Sequence, residues 1–144
     1  MLQRYYFPYR AWVEMQVREA VARDVTLLHV SCHSFTPRLH SVERRADIGL
    51  LYDPARVAET DFCKAWQRRI RCLAPDLIVR RNYPYRGYDD GLTTYLRRLF
   101  PGARYLGIEL EVNQKYPLGD APEWRATRSL LVASLEQALA ACQL

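Results

Sequence analysis

Apolar positions recur along the chain at two spacings, a helical one and an extended one, and polar or proline-glycine breaks separate the stretches. Pro8 suits the first turn of a helix over residues 8–23, with Ala11, Met15 and Ala22 near one face. Residues 25–31 are leucine-rich and β-branched and run into Cys32-His33-Ser34, which predicts a buried strand with a polar end. Residues 35–45 hold Thr36-Pro37 and mixed charges and read as a loop. Residues 47–52 form a short strand stopped by Asp53-Pro54. Helical spacing returns over 57–73, where Phe62, Trp66, Ile70 and Leu73 make an apolar stripe of the kind that faces a core. A strand over 76–80, a loop over 82–91 and a helix over 92–100 follow, the last ending at Pro101-Gly102. Residues 105–112 are the clearest strand, and Pro117 and Gly119 break the chain before a final helix over 121–141.

The order helix, strand, strand, helix, strand, helix, strand, helix predicts an α/β fold, a sheet flanked by helices, in which chemistry collects at the carboxyl ends of the strands. At 144 residues, with no internal repeat or low-complexity linker, the chain reads as a single domain over 1–144. No apolar run approaches the roughly 20 residues of a membrane helix, and the start lacks a secretory signal, so a soluble cytoplasmic protein is expected. The net charge of +5 raises the question of nucleic acid. Its arginine pairs are scattered through four segments and no recognition motif accompanies them, so a small anionic substrate is the expected partner, with neither nucleic acid nor membrane. Cys32, Cys63, Cys72 and Cys142 form no C-x-x-C pair and read as free thiols.

Four groups of residues could carry chemistry. His33 stands at the polar end of its strand, exposed beside Ser34, as a candidate ligand or acid–base group; a structural histidine is the plain alternative. His29 shares its face, but four residues at roughly 3.3 Å each set the two about 13 Å apart, too far to hold one metal together. Glu109 and Glu111 share a strand face at a spacing of about 6.6 Å, opposite Ile108, Leu110 and Val112. Carboxylates in so apolar a strand call for a cation, a metal or a general-base role, unless the strand is a solvated edge. The loop 82–91, with Asn82, Tyr85 and Arg86, could rim a substrate site or be a surface turn. Arg44-Arg45 could grip a carboxylate as a fork or form an ordinary surface ion pair.

Taken in order, His33-Ser34-Phe35-Thr36-Pro37, Arg45-Ala46-Asp47-Ile48-Gly49-Leu50-Leu51, Asn82-Tyr83-Pro84-Tyr85-Arg86-Gly87 and Gly107-Ile108-Glu109-Leu110-Glu111-Val112-Asn113-Gln114 resemble the N-formylglutamate amidohydrolase family, and Tyr6-Phe7-Pro8-Tyr9-Arg10 resembles the approach to its helix here. The resemblance is to a carboxyl-terminal portion. It implies a zinc carboxypeptidase-like α/β fold, a mixed sheet flanked by helices and here incomplete. It also implies zinc-dependent hydrolysis of an N-formyl or N-acyl amino acid such as N-formylglutamate, a cytoplasmic step of histidine degradation. In that pattern His33 matches the strand-end zinc ligand, Glu111 the general base with Glu109 as the second candidate, and Arg45 or Arg86 a holder of the substrate carboxylate, with Asn82 and Tyr85 nearby.

The family's upstream histidine–glutamate pair has no counterpart before Val25, where Glu14 and Glu19 follow no histidine at the needed spacing. Catalytic zinc sites generally take three protein ligands. The expectation is therefore a fragment or truncated relative with an unpaired sheet edge, prone to self-association or in need of an amino-terminal segment. The alternative function is a small-anion binding module or structural partner subunit without catalysis.

Overall fold

In the computed structural model, which describes residues 2–143, the sheet is built around its last strand. A short π-helical turn, Leu2–Tyr6, leads into helix α1 (Phe7–Ala22). Strand β1 (Leu27–Phe35) is followed by a two-residue ribbon, β2 (Arg38–Leu39) and β3 (Val42–Glu43), and then by β4 (Ile48–Leu51). Helix α2 (Val57–Leu73), β5 (Val79–Arg81), α3 (Leu92–Leu99), β6 (Tyr105–Asn113) and α4 (Ala121–Cys142) complete the order. The main sheet runs β1-β6-β4-β5, with β6 parallel to β1 and antiparallel to β4. It is a mixed sheet with helices on both sides.

The two faces differ in chemistry because β6 alternates. Leu106, Ile108, Leu110 and Val112 point to one side and meet Phe62, Trp66 and Ile70 of α2 and Leu131 and Ala138 of α4. Trp66 Nε1 donates to Ser134 Oγ at 2.9 Å, so the one polar atom of that large ring is satisfied inside the apolar layer. The other side carries Tyr105, Gly107, Glu109 and Glu111, and only its lower end is apolar, where Tyr105 meets Val13 and Val17 of α1 and Leu96 of α3. Being central, β6 cannot be a solvated edge, and its two glutamates need another explanation.

Several boundaries shift from the sequence reading. The first strand runs four residues further, to Phe35, which is buried against Gln114, whose backbone N–H donates to the Phe35 carbonyl at 2.9 Å. His33 therefore lies inside the strand, not at its end. Within 35–45 the chain folds into the β2–β3 ribbon, with His40 and Ser41 at φ of 46° and 64°, a left-handed pair that matches the strand twist in a two-residue hairpin turn. Helix α1 turns Val13, Val17 and Ala20 inward, whereas Ala11, Met15 and Ala22 are exposed. In α2 the stripe holds at Phe62, Trp66 and Ile70, but Leu73 is exposed in the last turn and Glu59 takes a buried place one turn earlier. Strand β1 forms one border of the sheet, and its outer side pairs with no strand among the described residues.

Gly49 of β4 lies opposite Glu111 in register. A Cβ there would stand 2.1 Å from the Tyr83 carbonyl oxygen, so the absent side chain is what lets the loop 82–91 cross the polar face beside Glu111.

Candidate functional site

The polar face gathers three of the sequence candidates. Parallel pairing sets His33 beside Glu111 and Ser31 beside Glu109. His33 Nε2 lies 3.0 Å from Ser31 Oγ, and the histidine is exposed along the outer strand. His29 takes no part: its Nδ1 lies 2.9 Å from Tyr105 Oη, and burial, with the charges of Arg97 and His33, lowers its pKa and so favours the neutral ring.

The two glutamates are held differently. Glu109 is half-buried, and its Oε1 accepts the Thr93 hydroxyl at 2.6 Å from the first turn of α3, where the helix end also favours a negative charge. Glu111 is 5% exposed, and its Oε2 is buried without any hydrogen-bond partner. Burial pushes its carboxyl above the usual range; Glu109 adds to that, while His33 and Arg44 pull against it. A buried carboxylate oxygen with nothing donating to it is costly unless a ligand, a metal or a proton completes it.

Around this floor stand two walls. On one side the Arg44 guanidinium donates to Tyr85 Oη at 3.1 Å and lies 5.1 Å from the Tyr85 ring centre, joining the segment before β4 to the loop 82–91. Asn113 at the end of β6 donates to the Arg44 and Ala46 carbonyls at 3.2 and 2.9 Å and fixes that segment. On the other side a cleft of 570 Å³ opens between the start of α1, β1 and the Asp90-Gly91-Leu92 turn, lined by Tyr6, Tyr9, Arg10, Ser31, His33 and Glu109 among others.

The other sequence candidates lie elsewhere. Arg45 is exposed and pairs with Glu43 at 3.4 Å, whereas its neighbour Arg44 is the one whose charge reaches Glu111. Arg86 is exposed over the Tyr88 ring. Asn82 serves the loop: its Oδ1 accepts the backbone N–H of Tyr52 at 3.0 Å and of Gly87 at 3.1 Å. The sequence reading includes Arg10 in a matching segment but gives it no role, and it passes over Thr93 and the buried Glu59–Arg97 pair. Thr93 carried a signal, a hydroxyl residue two places after Gly91 in a first helical turn; Arg97 looked like any other arginine.

The sequence model of the N-formylglutamate amidohydrolase family matches residues 1–117, and the chain belongs to that family. Its fold is also similar to the crystal structure of a gene product from Agrobacterium tumefaciens, at 26% identity and a TM-score of 0.78. That similarity covers 99% of this chain and 54% of the other, so the chain spans about half the length of the structure it matches. A search of curated proteins gave no match. Membership makes a hydrolase the class of activity to consider. No helix among the described residues is long and apolar enough to cross a membrane.

The family resemblance implies zinc, and the donors can be tested against it. His33 offers one imidazole and Glu111 one unpartnered carboxylate oxygen, but the described residues hold no cluster of three His, Cys, Asp or Glu side chains able to share a metal. Three protein ligands are the usual number for a catalytic zinc. The residues present do not by themselves fit a complete site.

Proposed function

We propose that this polar face hydrolyses, or forms part of a site that hydrolyses, the amide bond of an N-formyl or N-acyl amino acid such as N-formylglutamate. The observation that carries this reading is the Glu111 carboxylate, buried beside His33 with one oxygen unpartnered and its pKa raised. A carboxylate tuned upward is suited to accept a proton near neutral pH. Glu111 takes the proton of a water whose oxygen adds to the acyl carbon, then gives it to the nitrogen as the C–N bond breaks, leaving formate and the free amino acid. Arg44, braced by Tyr85, is the arginine whose charge acts on the base and would hold the substrate's α-carboxylate as a two-pronged fork. Glu109, with one oxygen committed to Thr93, is the weaker candidate for the base.

Zinc remains the cofactor to test, with His33 as its one donor from this chain. Metal content after purification without chelators decides it, for the wild-type protein and for His33→Ala. Near one zinc per chain, lost on substitution, is the expected result if other donors complete the site; no zinc in either protein would sink the assignment of His33 as a ligand in this chain alone.

A second reading has its own observation. The outer side of β1 offers nine residues of strand with no partner among the described residues, a template for another strand. On that reading the chain is a structural or anion-binding subunit that completes its sheet with a second polypeptide segment or a second copy of itself. Size-exclusion chromatography is expected to show self-association, and a clean compact monomer at high concentration would count against it.

A further inference from the structure

The cleft beside the base contains a cation that the mechanism above leaves unused. Arg10, near the start of α1, is half-buried, and its guanidinium lies 5.0 Å from the ring centres of both Tyr6 and Tyr95. It donates one hydrogen bond, to Tyr6 Oη, and pairs with no carboxylate among the described residues. An arginine has five N–H donors, so most of its hydrogen-bonding capacity is free.

The rings that flank it are themselves fixed. Tyr95 of α3 donates its hydroxyl to Glu14 Oε2 at 3.0 Å, and Arg18 donates to Glu14 Oε1 at 2.8 Å. Glu14 is thus satisfied by two other partners, and Arg10 keeps its charge for something else. A planar guanidinium held between aromatic rings has lost most of its rotamer freedom before any ligand arrives, so little ordering cost is left for binding. Tyr6, Tyr9 and Arg10 make one wall of the 570 Å³ cleft whose floor includes His33 and Glu109.

We propose that Arg10 is the specificity-determining anion anchor of this cleft, binding a second acidic group on the side chain of the acyl amino acid whose amide lies at Glu111. This deepens the hydrolytic reading and rests on it for the identity of the ligand, but not for the anion site. Glu109 and Asp90 also line the cleft and repel an anion, which sets the bound carboxylate at the α1 wall and away from the floor. A substrate with one carboxylate at Arg44 and another at Arg10 would be gripped at both ends, and a monoacid at one end only.

The test uses the full chain and two five-carbon probes, glutarate with two carboxylates and valerate with one, titrated calorimetrically. Wild-type protein is expected to bind glutarate more tightly than valerate, and Arg10→Met to weaken glutarate about 10- to 100-fold and remove most of its advantage over valerate. Equal affinity of the wild type for the two probes, no glutarate binding, or undiminished discrimination in Arg10→Met would each overturn the inference. Circular dichroism checks the fold. If Arg10→Met fails to fold, Arg10→Lys decides, because it keeps the charge but not the planar fork: intermediate glutarate affinity supports the anchor and wild-type affinity refutes it. Formate release from N-formylglutamate is measured separately. Its absence alongside Arg10-dependent glutarate binding would remove the hydrolytic reading and leave the anion site standing.

Discussion

Glu111→Gln is expected to lower formate release from an N-formyl amino acid by about 10²- to 10⁴-fold, the usual contribution of a general base, and at the same time to make the protein more stable. The two effects have one cause. Wild-type Glu111 keeps a carboxylate oxygen buried without a donor, and the neutral amide relieves the cost of that charge, about 1 kcal/mol or more. The pH dependence follows from the raised native pKa. Between the ordinary carboxyl value of 4.5 and the raised one, the folded protein binds more protons than the unfolded chain, so stability falls as pH rises through that window and is level above it. His33 on β1, Glu109 on β6 and Arg44 before β4 are the charged or titratable neighbours that set the window. Urea unfolding of both proteins at a series of pH values reads the difference: the stability of the wild type relative to Glu111→Gln should fall as pH rises through the window, the opposite slope from the lowered pKa of His29 being common to both and cancelling. Equal stability of the two at neutral pH would mean that Glu111 has a partner, and the base assignment would pass to Glu109. Glu109→Gln, whose carboxylate is already bonded to Thr93, is the control for activity.

Breaking the buried pair beneath the site should cost far more stability than any change within it. Glu59 of α2 is fully buried, and its carboxylate accepts Arg97 Nε at 3.0 and 3.1 Å and the backbone N–H groups of Asp53 and Gly107, each at 3.0 Å. Arg97 of α3 also donates to the carbonyls of Gly87 and Gly107, so one guanidinium ties the loop 82–91 to β6. Arg97→Met leaves Glu59 charged, buried and short of a counter-ion, and should cost about 3–5 kcal/mol, a fall in Tm of roughly 10 °C or more. Glu59→Gln with Arg97→Met should lose less than the two single changes added together, because neither then strands a charge. A loss under about 1 kcal/mol for Arg97→Met, measured by urea denaturation, would show that Arg56, whose Nε lies 3.0 Å from Glu59, carries the pair unaided.

How much of this was legible in the sequence depended on the range of the interaction involved. The α/β order, all four helices and the four strands of the main sheet follow from apolar spacing, because spacing decides which face is buried. The alternation of residues 105–112 placed Glu109 and Glu111 on one face before any coordinates, and β6 has them there. The sequence could not say that β6 is central, since strand order comes from crossovers and not from any one strand. Arg44 and Arg45 are adjacent and chemically identical, and only the anchoring of this segment by Asn113 turns one toward Glu111 and the other to solvent. Glu59 broke the apolar stripe of α2 without warning, because its justification, Arg97, lies in another helix. The hairpin inside 35–45 was missed for a local reason: His40-Ser41 is not one of the glycine-containing pairs that mark such a turn.

Strand β1 and its partner β6 also set a timetable for the newborn chain. Leu27 waits for Tyr105, and His33 for Glu111, roughly 80 residues later in synthesis; at about 5–20 residues per second that is an interval of several seconds. During it β1 lacks β6, its one neighbour among the described residues, while α2, β4 and β5 can already close their short loops. The imidazole and the carboxylate thus meet only when nearly all of the sheet has been translated, and a ribosome pause between α3 and β6 would lengthen the time in which β1 is open to other chains.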